Sequence, residues 1–292
     1  MINKNTWLLI LTALVFSFIF PKSGLVVGPY LNYLFMVLMF LSCLDLDYKK
    51  IIICLKDYKE HLVVLLIIHL VSPFIVFLFR YYFVPEIYLG LILITTISAG
   101  RSAVFLSMIY GGEPIKALVV TTISNLISPL VVPVIVWIFT RTIIKFNVGD
   151  MSYKIFYLVV IPAAVAFMVN KSRYAKIIAK FSSSVSTIFL FFIILAIISP
   201  VIHIVTNDLK LTFIIGLISI ALVVGNFILG YIVGDDRPEK ITYALSASYK
   251  NYTLATLLAL TVFNPTVALP AIVYAITNNL LLVPLQFLRL KK

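Results

Sequence analysis

Apolar runs of about 15–25 residues, separated by short polar clusters, recur along the whole chain; as helices they are long enough to cross a hydrocarbon core roughly 30 Å thick. Ten are predicted to span, at residues 6–20, 30–44, 62–81, 88–110, 115–140, 153–169, 182–204, 211–233, 241–263 and 268–290. The chain therefore reads as an all-α membrane protein, a single polytopic domain over residues 1–292. Between the second and third runs, residues 45–61 mix Lys49, Lys50, Asp57, Lys59 and Glu60 with Ile51, Ile52, Ile53 and Leu55, which predicts a short helix lying at the membrane interface.

Ten spans divide into two sets of five, residues 1–141 and 142–292, and the odd number in each set makes the second enter the membrane from the opposite face. This is the arithmetic of an inverted repeat, the plan of many secondary transporters. In each set the fourth run is the interrupted one. Span four carries Ser98-Ala99-Gly100-Arg101-Ser102, and span nine carries Ser246-Ala247-Ser248-Tyr249-Lys250-Asn251-Tyr252-Thr253. Small and polar residues let a helix open at mid-membrane when the freed backbone groups find partners in protein, water or ligand. Discontinuous helices at matching positions of two halves point to a central binding site.

Each interruption also carries a cation, Arg101 in the first and Lys250 in the second. A charge at the bilayer centre costs roughly 2.5–3.5 kcal/mol on insertion scales, and at about 1.5 Å per residue both positions are too central for easy snorkelling. The acidic residues Asp45, Asp47, Asp57, Glu60, Glu86, Glu113, Asp150, Asp208, Asp235, Asp236 and Glu239 all fall in loops or at span ends, so no carboxylate waits at mid-membrane. Half-helix N-termini attract anions, and with Arg101 and Lys250 beside them the expected substrate is a small organic anion. In this reading Arg101 and Lys250 hold the anionic group and Asn251, Tyr249 and Ser248 supply hydrogen bonds. Ser98, Gly100 and Ser102 shape the break, and Thr121, Ser124 and Asn125 line a facing wall from span five. His69, just ahead of Ser72-Pro73 in span three, is a candidate proton acceptor for coupling.

Composition narrows the class. A chain that is 62% hydrophobic and 12% charged carries too much apolar surface for a soluble core of this size. Its net charge of +12 is spread over short loops, with Lys49, Lys50, Lys56, Lys59, Lys171, Lys176, Lys180, Arg237 and Lys240 on the side of both termini; Lys22, Arg80, Arg141, Lys145, Lys154 and Lys210 lie on the other. Both termini are expected in the cytoplasm, with the protein in the plasma membrane; the charge serves topology and anionic lipid rather than nucleic acid. Cys43 and Cys54 read as packing residues rather than a disulfide or metal pair. No HExxH, GxSxG or clustered Asp/His set lies in the spans, so neither an enzyme nor a cofactor is expected.

Several segments, in order and at the right distances, resemble the bile acid:sodium symporter family. Leu126-Ile127-Ser128-Pro129-Leu130, with Pro133 after it, is similar to the family's fifth-span signature, and residues 98–102 and Gly111-Gly112 stand at the usual distances upstream. Ala244-Leu245 through Asn251, Leu254-Ala255 and Ala268-Leu269-Pro270-Ala271 resemble its other crossing helix; Met39-Phe40-Leu41 with Leu44-Asp45-Leu46, and Asn226 with Gly230-Tyr231, resemble its second and eighth spans.

The resemblance implies ten helices arranged as a panel and a core, helices four and nine crossing near the membrane centre, and organic anions carried with sodium. At the family's sodium positions this chain departs from the pattern. It has Ala103-Val104 where the family has Ser-Asn, Asn125 where it has Thr (with Thr121 one turn earlier), Ser246 for its Glu and Lys250 for its Gln, while Asn251 is kept. A hard cation needs several oxygen ligands, and an ammonium beside it repels it, so sodium coupling is expected to be weakened or lost. Two other readings stay open from the sequence: a permease of the auxin efflux carrier type, and a ligand-binding sensor built on a transporter fold.

Overall fold

Proline opens one helix after another in this chain, because its missing N–H is an orphan in the first turn anyway. The computed structural model describes residues 12–44 apart from Leu14 and Phe18, then 58–172 and 175–289. We number its elements α1 (Pro21–Leu44), α2 (Tyr58–Leu78), α3 (Pro85–Thr96), α4 (Ser102–Tyr110), α5 (Pro114–Thr140), α6 (Val148–Asn170), α7 (Ala175–Ile198), α8 (Ile202–Asn207), α9 (Leu209–Val233), α10 (Arg237–Ser248), α11 (Tyr252–Val262) and α12 (Pro265–Arg289). Pro21, Pro85 and Pro114 each stand at a helix start, while Asp208, Asp236 and Asn251 cap α9, α10 and α11 by accepting from the main-chain N–H of Leu211, Glu239 and Leu254.

The described residues are helical, with no strand among them. Six helices are long and apolar enough to cross a membrane: α1, α2, α5, α6, the stretch Lys180–Ile198 within α7, and α9. Runs four and nine, each expected as one interrupted span, are two helices apiece: α3 and α4, then α10 and α11. The second run begins earlier than hydropathy placed it, because Pro21 starts a helix that continues through Gly28 to Leu44. Most of the first expected span and the interfacial segment up to residue 57 lie outside the described residues; Tyr58, Lys59, Glu60 and His61 form the first turn of α2.

The chain forms two compact units. One comprises Met1–Asp47 and Tyr153–Asn207, and in it α6 and α7 pack along α1. The other comprises Tyr48–Ser152 and Asp208–Lys292; here α10 lies along α9 and against α4 and α5, and α3 and α11 pack on α12. Every residue of α3 from Ile87 to Thr96 is buried, as expected of a helix that is apolar on all sides and enclosed by others.

Two wide π-helical turns interrupt α2 and α6, at Ile67–Val71 and Phe156–Val160, and a proline follows each, Pro73 and Pro162. A proline inside a helix withdraws a donor and crowds the carbonyl four residues back, and a π turn is one way the chain absorbs it. Within α5, Pro129 withdraws the donor that would serve the Asn125 carbonyl; Ser128 Oγ donates to that oxygen instead, at 2.7 Å.

Candidate functional site

Residues 97–101 and 249–251 are the two gaps in the helices of the larger unit, and they cross as antiparallel extended backbone. Gly100 donates its N–H to the Tyr249 carbonyl at 2.7 Å, and Asn251 donates to the Ser98 carbonyl at 2.8 Å, a single bridge centred on Ala99 and Lys250. Ile97 and Tyr249 take extended backbone angles that end α3 and α10. The approach needs a glycine: a Cβ on residue 100 would stand 2.7 Å from the Lys250 carbonyl oxygen, which is backbone and has no rotamer to yield.

Opening two helices frees carbonyls that must find donors in a place without water. At the end of α3, the Thr95 carbonyl would ordinarily be served by the N–H of Ala99, but that group donates to Ser124 Oγ at 3.1 Å. The Thr96 carbonyl would be served by Gly100, whose N–H has gone to Tyr249. On α2, the N–H of Ser72 reaches past Ile68 to the Ile67 carbonyl through the π turn, and the next residue, Pro73, has no N–H, so the Ile68 carbonyl is released as well.

Two side chains take up these three oxygens. Lys250 Nζ donates to the Ile68 and Thr95 carbonyls, both at 2.9 Å, and the residue is 1% exposed. His69 Nδ1 lies 2.7 Å from the Thr96 carbonyl and Nε2 lies 2.9 Å from Ser124 Oγ. A carbonyl only accepts, so Nδ1 carries a hydrogen and donates to Thr96, while Nε2 pairs with the Ser124 hydroxyl, which can accept or donate there.

Among the candidates named from the sequence, Ser98, Gly100, Lys250, Asn251, Tyr249, Ser124 and Asn125 meet at the crossing, and His69 joins them. Ser98 Oγ donates to Asn125 Oδ1 at 2.9 Å, and Asn125 Nδ2 donates to the Thr121 carbonyl at 2.8 Å. The Thr121 hydroxyl turns back to the Ala117 carbonyl and the Ser248 hydroxyl to that of Ala244, each at 2.7 Å within its own helix. Arg101 and Ser102 open α4 and are partly exposed.

The second gap recruits residues the sequence had not singled out. The Ser248 carbonyl accepts from Tyr274 Oη at 2.7 Å and Asn278 Nδ2 at 3.4 Å, while Tyr249 Oη donates to the Asn278 carbonyl at 3.2 Å. Asn278, and Thr277 and Asn279 beside it, are polar positions inside the last apolar run; that polarity was their signal.

Ala103 and Val104 carry no side-chain oxygen, the Asn125 amide is engaged at both ends, Ser246 offers one hydroxyl, and Lys250 Nζ stands among the carbonyls. Elsewhere in this unit Glu113, Asp236 and Glu239 cluster, but Lys116 is ion-paired to Glu239 and lies 3.5 Å from Glu113, and Asp236 caps α10.

The protein of Bacillus subtilis (strain 168) named "Uncharacterized sodium-dependent transporter YocS" is 23% identical over 287 residues, covering 94% of this chain and 86% of its own. Residues 32–208 match the description of the Sodium Bile acid symporter family, a stretch that takes in α2 to α7 and the first gap. On that match, a multi-pass membrane protein with two broken helices paired at their gaps belongs to the sodium bile acid symporter family.

Proposed function

We propose that this protein is a secondary active transporter of small organic anions that works by alternating access and has lost, or nearly lost, coupling to sodium. The observation that carries the reading is the antiparallel pairing of the gaps at Ala99 and Lys250, because two opened helices that cross bring helix N-termini and the positions of Arg101 and Lys250 to one place. Ten spans as inverted repeats, residues 1–141 and 142–292, supply the architecture. The division into units favours it: the smaller takes the first two spans of each repeat and the larger the last three, as a panel and a core would.

In this reading the substrate's anionic group is attracted by Arg101 directly and by Lys250 from beneath the crossing. Ser98, Gly100, Ser102, Ser248, Tyr249 and Asn251 form the broken segments, and Thr121, Ser124 and Asn125 brace them from α5. Both termini face the cytoplasm of a cell whose plasma membrane holds the protein. The missing oxygens at Ala103, Val104 and Ser246 and the ammonium of Lys250 support sodium independence.

The test is uptake of radiolabelled organic anions into vesicles reconstituted with the full chain. Uptake and trans-stimulated exchange that proceed equally under inward sodium and potassium gradients are expected. Strong stimulation by sodium overturns the coupling reading, and binding without trans-stimulated flux overturns transport.

A further inference from the structure

Lys250 is the one buried Lys, Arg, Asp or Glu among the described residues. Its stem starts in the gap between α10 and α11, and its ammonium ends on α2 and α3, so one side chain ties together the elements that carry both gaps and the π turn. The carbonyls it meets are not spare surface groups. Ile68 is released by the π turn and Pro73, and Thr95 by the diversion of Ala99 to Ser124, so each is an orphan acceptor made by the fold. Two convergent carbonyls, buried and without helical donors, are what a protein presents to a cation; here the cation arrives covalently attached.

Resting on the transport reading above, we propose that Lys250 is a tethered cation and that the Ile68 and Thr95 carbonyls form a binding site for a primary ammonium. Cutting the tether leaves a site for a small free alkylammonium ion. The ammonium group supplies three N–H donors, two of which are matched by these carbonyls, and removing the buried lysine stem vacates the volume of a short alkyl chain. Sodium, which asks for a fuller oxygen shell, is the poorer ligand. Lys250 is a positioning residue: it holds the crossing in its competent geometry without a free ion.

Lys250→Ala in the full chain, purified in lipid nanodiscs, is the experiment, read by thermal unfolding and by exchange in vesicles. The variant is expected to unfold lower by on the order of 5 °C. Propylammonium chloride is expected to restore at least half of that loss, saturably, while sodium, potassium and tetramethylammonium chlorides at the same concentration do not. Lys250→Met, which keeps the stem's volume without the charge, is expected to lose exchange and to be insensitive to propylammonium.

Equal stabilisation of Lys250→Ala by all four salts, or none by propylammonium, overturns the proposal. So does wild-type exchange by Lys250→Met, which also decides the matter if Lys250→Ala does not fold. The unfolding readout is independent of cargo: if wild-type vesicles move no organic anion, the transport reading fails while ammonium binding is still scored.

Discussion

At the first gap the carbonyls of Thr95 and Thr96 accept from the Lys250 ammonium and from His69, whereas at the second the Ser248 carbonyl accepts from a phenol and a carboxamide, Tyr274 and Asn278. Both arrangements answer the same demand, that carbonyls freed in an apolar interior be given donors. They differ in where the donor comes from. The second gap is served by neutral groups of α12; the first is served by His69 of α2 and, across the crossing, by the Lys250 side chain of the other gap. Beyond the backbone bonds that the two gaps exchange, the first therefore leans on a side chain of the second, and a displacement of Lys250 opens the end of α3.

The backbones differ in the same sense. Gly100 gives up its side chain so that the carbonyl of Lys250 can approach, while Tyr249, Lys250 and Asn251 keep theirs. Gly100→Ala drives a Cβ into the Tyr249–Lys250 backbone and is expected to have the largest effect, about 3 kcal/mol or more of stability with loss of uptake, because neither strand of the bridge can repack. Thermal unfolding of the full-length variant checks it. A Gly100→Ala protein with wild-type stability would show that the two gaps do not touch as described.

That such gaps exist was legible in the sequence, since a cluster of small and polar residues at the middle of an apolar run weakens the helix at the depth where a continuous one would be most needed. Their chemistry was only half legible. Lys250 stood out as a charge, but its partners are main-chain oxygens, and what makes the Ile68 and Thr95 oxygens available is a π turn ahead of Pro73 and a hydrogen bond from Ala99 to a serine 25 positions away. His69 was visible as a candidate proton acceptor; its partnership with Ser124, 55 positions on, depends on how α2 and α5 pack. Tyr274 and Asn278 sat in a run read only for hydropathy. Helix limits that hydropathy misjudged, such as the start of α1, were set by Pro21, a local signal that a windowed reading passes over.

If charge and reach distinguish the gaps, removing a donor should be felt unequally. His69→Ala takes away the donor to Thr96 and the partner of Ser124 and leaves a space next to Lys250; a loss of about 1–3 kcal/mol is expected, with slower uptake. Tyr274→Phe removes one neutral bond while Asn278 still faces the Ser248 carbonyl, and the expected loss is about 1 kcal/mol or less with uptake largely kept. Denaturation of the two variants under the same conditions orders them. Equal losses would mean that the gaps are braced alike, and the asymmetry would have to be abandoned.

The smallest expected effect falls on the paired hydroxyls of the two segments. Ser98 Oγ at the first gap donates to Asn125 Oδ1, whereas Ser246 Oγ, two residues before the end of α10 and wholly buried, makes no hydrogen bond. An unsatisfied buried hydroxyl costs desolvation without return, so Ser246→Ala should change stability by about 0.5 kcal/mol or less, or raise it. If Lys250 takes the place of a free cation as proposed, uptake should match wild type at every sodium concentration, because this oxygen then has nothing to coordinate. A Ser246→Ala variant that is stable yet slow, with the defect relieved by added sodium, would mean that the hydroxyl meets a free cation at some point in the cycle, and that Lys250 shares its charge role with an ion instead of replacing it.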